Sequence, residues 1–79
     1  MTNLQKDVAR YKLETVRNEC NQLIKAIAAS PFETPEYNII DHDDELGFSI
    51  TTNGVITKTH VAELDGDAII IRSIEKDYA

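Results

Sequence analysis

The first thirty residues contain neither proline nor glycine, and the first break in the chain is Pro31. This absence is the strongest constraint on the fold. It lets one helix run unbroken until the residue ahead of a proline is pushed out of the helical region. The start is marked as well. Thr2 and Gln5 stand in the spacing of a capping box, in which the hydroxyl takes one free amide and the Gln side chain returns to the amide of Thr2. A helix over residues 2–30 is about 40 Å long at about 1.5 Å per residue. A strand of about seven residues reaches only about 23 Å, so the helix is expected to overhang any sheet it packs on.

The apolar residues of this helix divide into two sets. At about 100° per residue, Ala9, Leu13, Val16, Cys20, Leu23, Ile24 and Ile27 fall within about 100° of arc and form the expected core stripe. Leu4, Val8 and Tyr11 point about 135° away from its centre, at the end expected to overhang. Their i, i+4, i+7 spacing is that of a helix lying in a groove. They are expected to close on the chain's own Phe32 or Tyr78, or to contact a second copy or a foreign partner.

Pro31 and Pro35 make residues 31–36 a linker. Tyr37–Asp41 reads as a strand, 41–45 as an acidic turn and Leu46–Thr52 as a second strand. Asn53-Gly54 between two β-prone runs is the strongest short hairpin signal. A two-residue loop there pairs Thr52 with Val55, Ile50 with Thr57, Phe48 with Thr59 and Leu46 with Val61 on a mostly apolar face. Thr51/Ile56, Ser49/Lys58, Gly47/His60 and Glu45/Ala62 fall on the other, mostly polar face. Asp65-Gly66 suggests a second turn into a strand Ala68–Ile74, pairing Val61 with Ile70 and Thr57 with Ile74. Ile69 and Ile71 then point outward beside His60 and Ala62, leaving the sheet apolar on part of both faces. One helix covers only one face. Either the register slips or a partner covers the second face. The expected fold is a single α+β domain over residues 1–79, a long N-terminal helix packed on a three- to four-stranded antiparallel meander over residues 37–75.

Seventy-nine residues with no tryptophan and one cysteine sit near the lower limit for one apolar core, where small proteins often gain stability by oligomerising. A lone Cys20 fits a reducing compartment. Neither a membrane-length apolar run nor a signal peptide is evident, so a cytoplasmic protein is expected. The net charge of −6 is uneven. Residues 1–30 hold five basic and three acidic side chains, and residues 31–79 hold three basic and eleven acidic ones. A negative body repels phosphate backbones, which disfavours direct nucleic-acid binding and favours a protein partner with a basic surface.

Candidate chemistry is sparse. Asp41, His42, Asp43, Asp44 and Glu45 offer carboxylates to a hard cation, but Leu46 and Thr52 stand where a calcium loop needs Gly and Glu. No metal and no cofactor are expected. With Glu63, Asp65 and Asp67, these acids are instead the expected partner-binding residues. Leu4, Val8, Tyr11, Ile69 and Ile71 are the expected apolar or dimer interface. Lys58 and His60, expected on the outer sheet face, with Arg72 on a neighbouring strand, are the candidate ligand-binding residues. Cys20 on the core stripe reads as a buried apolar residue, and neither histidine stands in a triad spacing.

These features favour a small acidic protein-binding module over an enzyme, with a dimeric inhibitor or regulator of a host or nucleic-acid-handling protein as the expected role. In size, charge and composition it is similar in kind to the small inhibitors made by phages and mobile elements. The alternative is a small-ligand binder, for a nucleotide or metabolite, with a pocket between subunits.

Overall fold

The computed structural model describes residues 1–42 and 46–75. One helix, α1 (Asn3–Ala28), precedes four strands, β1 (Tyr37–His42), β2 (Gly47–Thr52), β3 (Val55–Asp65) and β4 (Ala68–Glu75). The strands form one antiparallel sheet in the order β1-β2-β3-β4, so the chain is α+β in the order expected. The capping box is present. Gln5 N donates to Thr2 Oγ1 at 3.1 Å, and Thr2 N donates to Gln5 Oε1 at 2.8 Å. The helix ends at Ala28, two residues earlier than expected, with Ala29 as its cap.

The molecule measures 45 × 27 × 19 Å, and its thickness is that of one helix laid on one sheet. Its radius of gyration, 14.1 Å, exceeds the roughly 12 Å of a compact chain of this length. The middle of α1 makes the core. Ala9 and Leu13 are buried, and Val16, Cys20 and Ile24 are half-buried. Leu23 and Ile27, expected on the core stripe, are exposed. The helix is longer than the sheet is wide, so both of its ends project and only its middle finds a partner layer.

The β2–β3 hairpin departs from the expected register in a way that decides the core. Thr52 pairs with Val55 and Thr51 with Ile56, as the Asn53-Gly54 turn requires. The ladder then shifts, and Ile50 pairs with Lys58, Ser49 with Thr59, Phe48 with His60 and Gly47 with Val61. Thr57 is the extra residue of a β-bulge. Its hydroxyl bonds Thr52 Oγ1 at 2.9 Å and donates to Ile50 O at 3.4 Å. One inserted residue reverses the facing of everything that follows in β3. His60 and Ala62 therefore share the face of Phe48, while Thr59 and Val61 turn outward.

The second hairpin is corrected as well. Its loop is Gly66-Asp67, closed by the pair Asp65–Ala68, with Gly66 at φ +62°. A two-residue turn with positive φ at its first central position takes glycine there, whereas Asp65-Gly66 would force Asp65 into that conformation. The β3–β4 register moves by two residues and keeps its facing. Ile69 and Ile71, paired with Leu64 and Ala62, therefore lie on the helix side with His60. Ile69 is buried and Ile71 half-buried, so the expectation that both point outward is overturned. Ile70 and Ile74 take the outer face instead.

Gly47 holds this register in place. A Cβ there would meet His60 O at 2.6 Å and Val61 Cγ1 at 3.2 Å, so any side chain pushes β2 and β3 apart. Gly47→Ala is expected to destabilise the fold by about 1–3 kcal/mol, read as a lower urea midpoint with an unchanged m-value. Deleting Thr57 is expected to be more damaging, because it turns His60 and Ala62 outward together. Loss of cooperative thermal unfolding would report it.

Candidate functional site

Beneath α1, Phe48 (2 % exposed) stacks on His60 (5 % exposed), ring centres 4.8 Å apart and planes 28° from parallel. Ser73, opposite on β4, hydrogen-bonds His60 Nδ1 at 2.8 Å. Among the described residues, His60 Nε2 is the one buried side-chain polar atom without a partner. Burial lowers the pKa of this imidazole below its ordinary 6.5, and the nearby Lys58 ammonium lowers it further. His60 therefore sits in the core as a neutral, ring-stacked residue.

The expected Lys58–His60–Arg72 cluster does not form. The bulge places Lys58 and His60 on the helix side, where Lys58 pairs with Glu75 at 3.7 Å. Arg72, opposite the outward Val61, lies on the outer face and pairs with Glu63 at 3.7 Å. The two cations belong to opposite faces and each has its own carboxylate.

The outer face carries a polar chain that sequence spacing did not reveal. His42 Nε2 and Ser49 Oγ are 2.6 Å apart, and Ser49 Oγ lies 3.0 Å from Thr59 Oγ1. The link arises because Ser49 pairs with Ile40 on one side and Thr59 on the other, with His42 diagonal to it on the same face. A hydrogen-bonded Ser–His pair invites comparison with a nucleophile and its base. Ser49, however, is 1 % exposed; its second partner is the Thr59 hydroxyl, and among the described residues no carboxylate bonds the imidazole. The chain satisfies polar groups within the sheet and leaves no open nucleophile.

The expected partner-binding acids that are described fall at one end of the sheet. Asp41 is the penultimate residue of β1, while Asp65 and Asp67 stand at the β3–β4 hairpin, and in an antiparallel meander the β1–β2 and β3–β4 connections share an end. Glu63 lies two residues before Asp65. Asp43, Asp44 and Glu45 lie outside the described residues. Two of the described acids are already engaged, Glu63 with Arg72 and Asp41 with Arg17. The latter pair is bidentate, Nε to Oδ1 at 2.8 Å and a terminal guanidinium nitrogen to Oδ2 at 3.2 Å. Asp65 and Asp67 are exposed. The helix passes the same end, since Lys12 Nζ donates to Ile69 O at 2.7 Å. That contact ties the helix to a carbonyl of the edge strand.

A cleft of about 210 Å³ opens there between Arg10, Glu14 and Arg17 on the helix and Asp41, His42 and Phe48 on the sheet. Ligand pockets run to roughly 300–1,000 Å³, so this one is small, and its strongest cation is spent on Asp41. No group of three or more metal-ligating side chains occurs among the described residues, nor is any described helix long and apolar enough to cross a membrane. On the outward side of α1, Leu4 and Tyr11 are each 73 % exposed and Val8 is 38 % exposed. Phe32 is exposed as well and does not cover them. No protein-family model, no curated protein and no solved structure matches the chain.

His60 supplies a pH prediction with a defined sign. Its folded pKa lies below the unfolded value near 6.5, so the unfolded chain binds the extra proton first. The stability it contributes is fully present above about pH 6.5 and is lost as pH falls toward the folded pKa. Melting temperature is expected to drop between pH 7.5 and 5.5, and His60→Phe is expected to flatten that dependence. An unchanged slope in the variant would assign the effect to other groups.

Proposed function

We propose that this chain is a small acidic protein-binding module, an inhibitor or regulator that acts as a dimer and docks on a basic protein surface. The observation that carries the reading is the meander itself, which brings Asp41, Glu63, Asp65 and Asp67 to one end of the sheet. Asp65 and Asp67 are exposed there and enter none of the described ion pairs. Beside them, the half of α1 that bears Lys12 also bears Leu4, Val8 and Tyr11, an apolar anchor set for a partner's groove. Charge speeds and orients the encounter, while desolvated apolar anchors supply most of the affinity. Competition with nucleic acid for the same basic surface follows from the sign of the charge, as expected of an inhibitor of the kind phages and mobile elements make. The small-ligand reading loses its cluster, because Lys58 and His60 face away from Arg72.

The test compares the native chain with a variant carrying Asp65→Ser and Asp67→Ser, both immobilised and offered the same cell extract at graded salt. At least one protein is expected to be retained by the native chain, with retention falling as salt rises. The variant, its fold checked by circular dichroism, is expected to retain that protein about tenfold less, the effect of roughly 1.4 kcal/mol. Equal retention by the two chains, or no specific retention by either, would defeat the reading.

A further inference from the structure

The folded chain exposes 5872 Å². A compact folded monomer of 8.9 kDa exposes about 4,800 Å². The excess, about 1,000 Å², is close to the roughly 800 Å² that each partner buries in a stable protein contact. Among the described residues, four apolar side chains are buried, namely Ala9, Leu13, Phe48 and Ile69. A core that thin asks for a cover present whenever the chain is folded, and a second copy is the cover always at hand.

The outer face of the sheet fits that role. Ile40, Ile70 and Ile74 are exposed there at 45 %, 40 % and 43 %, with Val61 between them. The four strands span about 19 Å, and β3 runs about 36 Å at eleven residues. The polar side chains at the centre of this face are already bonded within it. His42, Ser49 and Thr59 form one chain, and Thr51 Oγ1 donates to Asn38 O at 3.4 Å. Covering them breaks no bond to the protein and leaves few hydrogen bonds to water to replace. The charged residues described on it are Arg72 and Glu63, which pair with each other, together with the acids of the hairpin end. Two chains of net charge −6 repel, and the central part of this face is where they meet with the least repulsion. On the helix, by contrast, the apolar stripe stops at Tyr11 and continues through the polar Thr15, Asn18 and Gln22 at the same angular position.

We infer that the outer sheet face is the contact between two copies of this chain, sheet packed on sheet about a two-fold axis with the helices outermost. The inference deepens the dimer in the proposed function and can fail alone. A monomer that still loses its partner through Asp65 and Asp67 would leave the acidic docking intact.

Sedimentation equilibrium at tens of micromolar tests it. The native chain is expected at twice the 8.9 kDa of one copy. Ile40→Thr with Ile74→Thr keeps β-branched residues in both strands, so the sheet still forms. It is expected to raise the dissociation constant about a hundredfold, from four lost apolar anchors across the symmetric contact at about threefold each. Leu4→Lys with Tyr11→Lys, on the opposite side of the slab, is expected to remain dimeric. A monomeric native chain overturns the inference. So does a dimer that survives the Ile40/Ile74 change, or one that dissolves with the Leu4/Tyr11 change.

Discussion

The bulge at Thr57 governs most of the structure, because strand side chains alternate and one extra residue exchanges the two faces of everything downstream. Without it, Thr59 and Val61 would lie under the helix and His60 outside it. With it, Phe48 stacks on His60, and Ile69 and Ile71 come under α1 through the β3–β4 ladder. Gly47 belongs to the same arrangement. Its missing side chain lets the His60 carbonyl come close enough for the shifted strands to pair. The hydroxyl of Thr57, held by Thr52 and Ile50, locks the irregularity locally. The same device turns Lys58 and His60 to the helix side, while the β3–β4 ladder, which sets Arg72 opposite Val61, keeps Arg72 on the other face.

The price of this arrangement is a core with an imidazole at its centre. Replacing an apolar side chain by His60 leaves Nε2 without a partner among the described residues, and a buried polar atom in that state costs about 1–3 kcal/mol. Stacking on Phe48 and the hydrogen bond between Ser73 Oγ and Nδ1 offset part of that cost. A chain of this length has little stability in reserve. The thin core and the surplus exposed area consequently belong to one physical account, in which a single helix covers one face of the sheet and leaves the other open.

Charge is arranged around the same two-layer body. The basic side chains of α1 are partly consumed holding the layers together, Arg17 on Asp41 and Lys12 on the Ile69 carbonyl. The acids near the hairpin end, where Asp65 and Asp67 stand, keep more of their field for solvent. The centre of the outer sheet face is nearly free of charge. The docking proposed for the acidic end and the self-association proposed for the sheet face would therefore use different surfaces.

The helix, its capping box, the Asn53-Gly54 hairpin and the meander order were legible in the sequence. Each follows from local chemistry: absent prolines, a side chain three residues from its amide, or a positive φ that Asn53 and Gly54 adopt readily. The apolar surplus on both faces of a regular sheet was legible too, and it signalled that something in the register had to give. Where it gave was decided by the tertiary structure. A bulge is stabilised by what its strands pack against, here the burial of Phe48, His60 and Ile69 beneath the middle of α1. The His42–Ser49–Thr59 chain and the inward turn of Ile69 and Ile71 both descend from that single inserted residue. No local pattern around Thr57 encodes it, because its free energy comes from contacts with residues dozens of positions away.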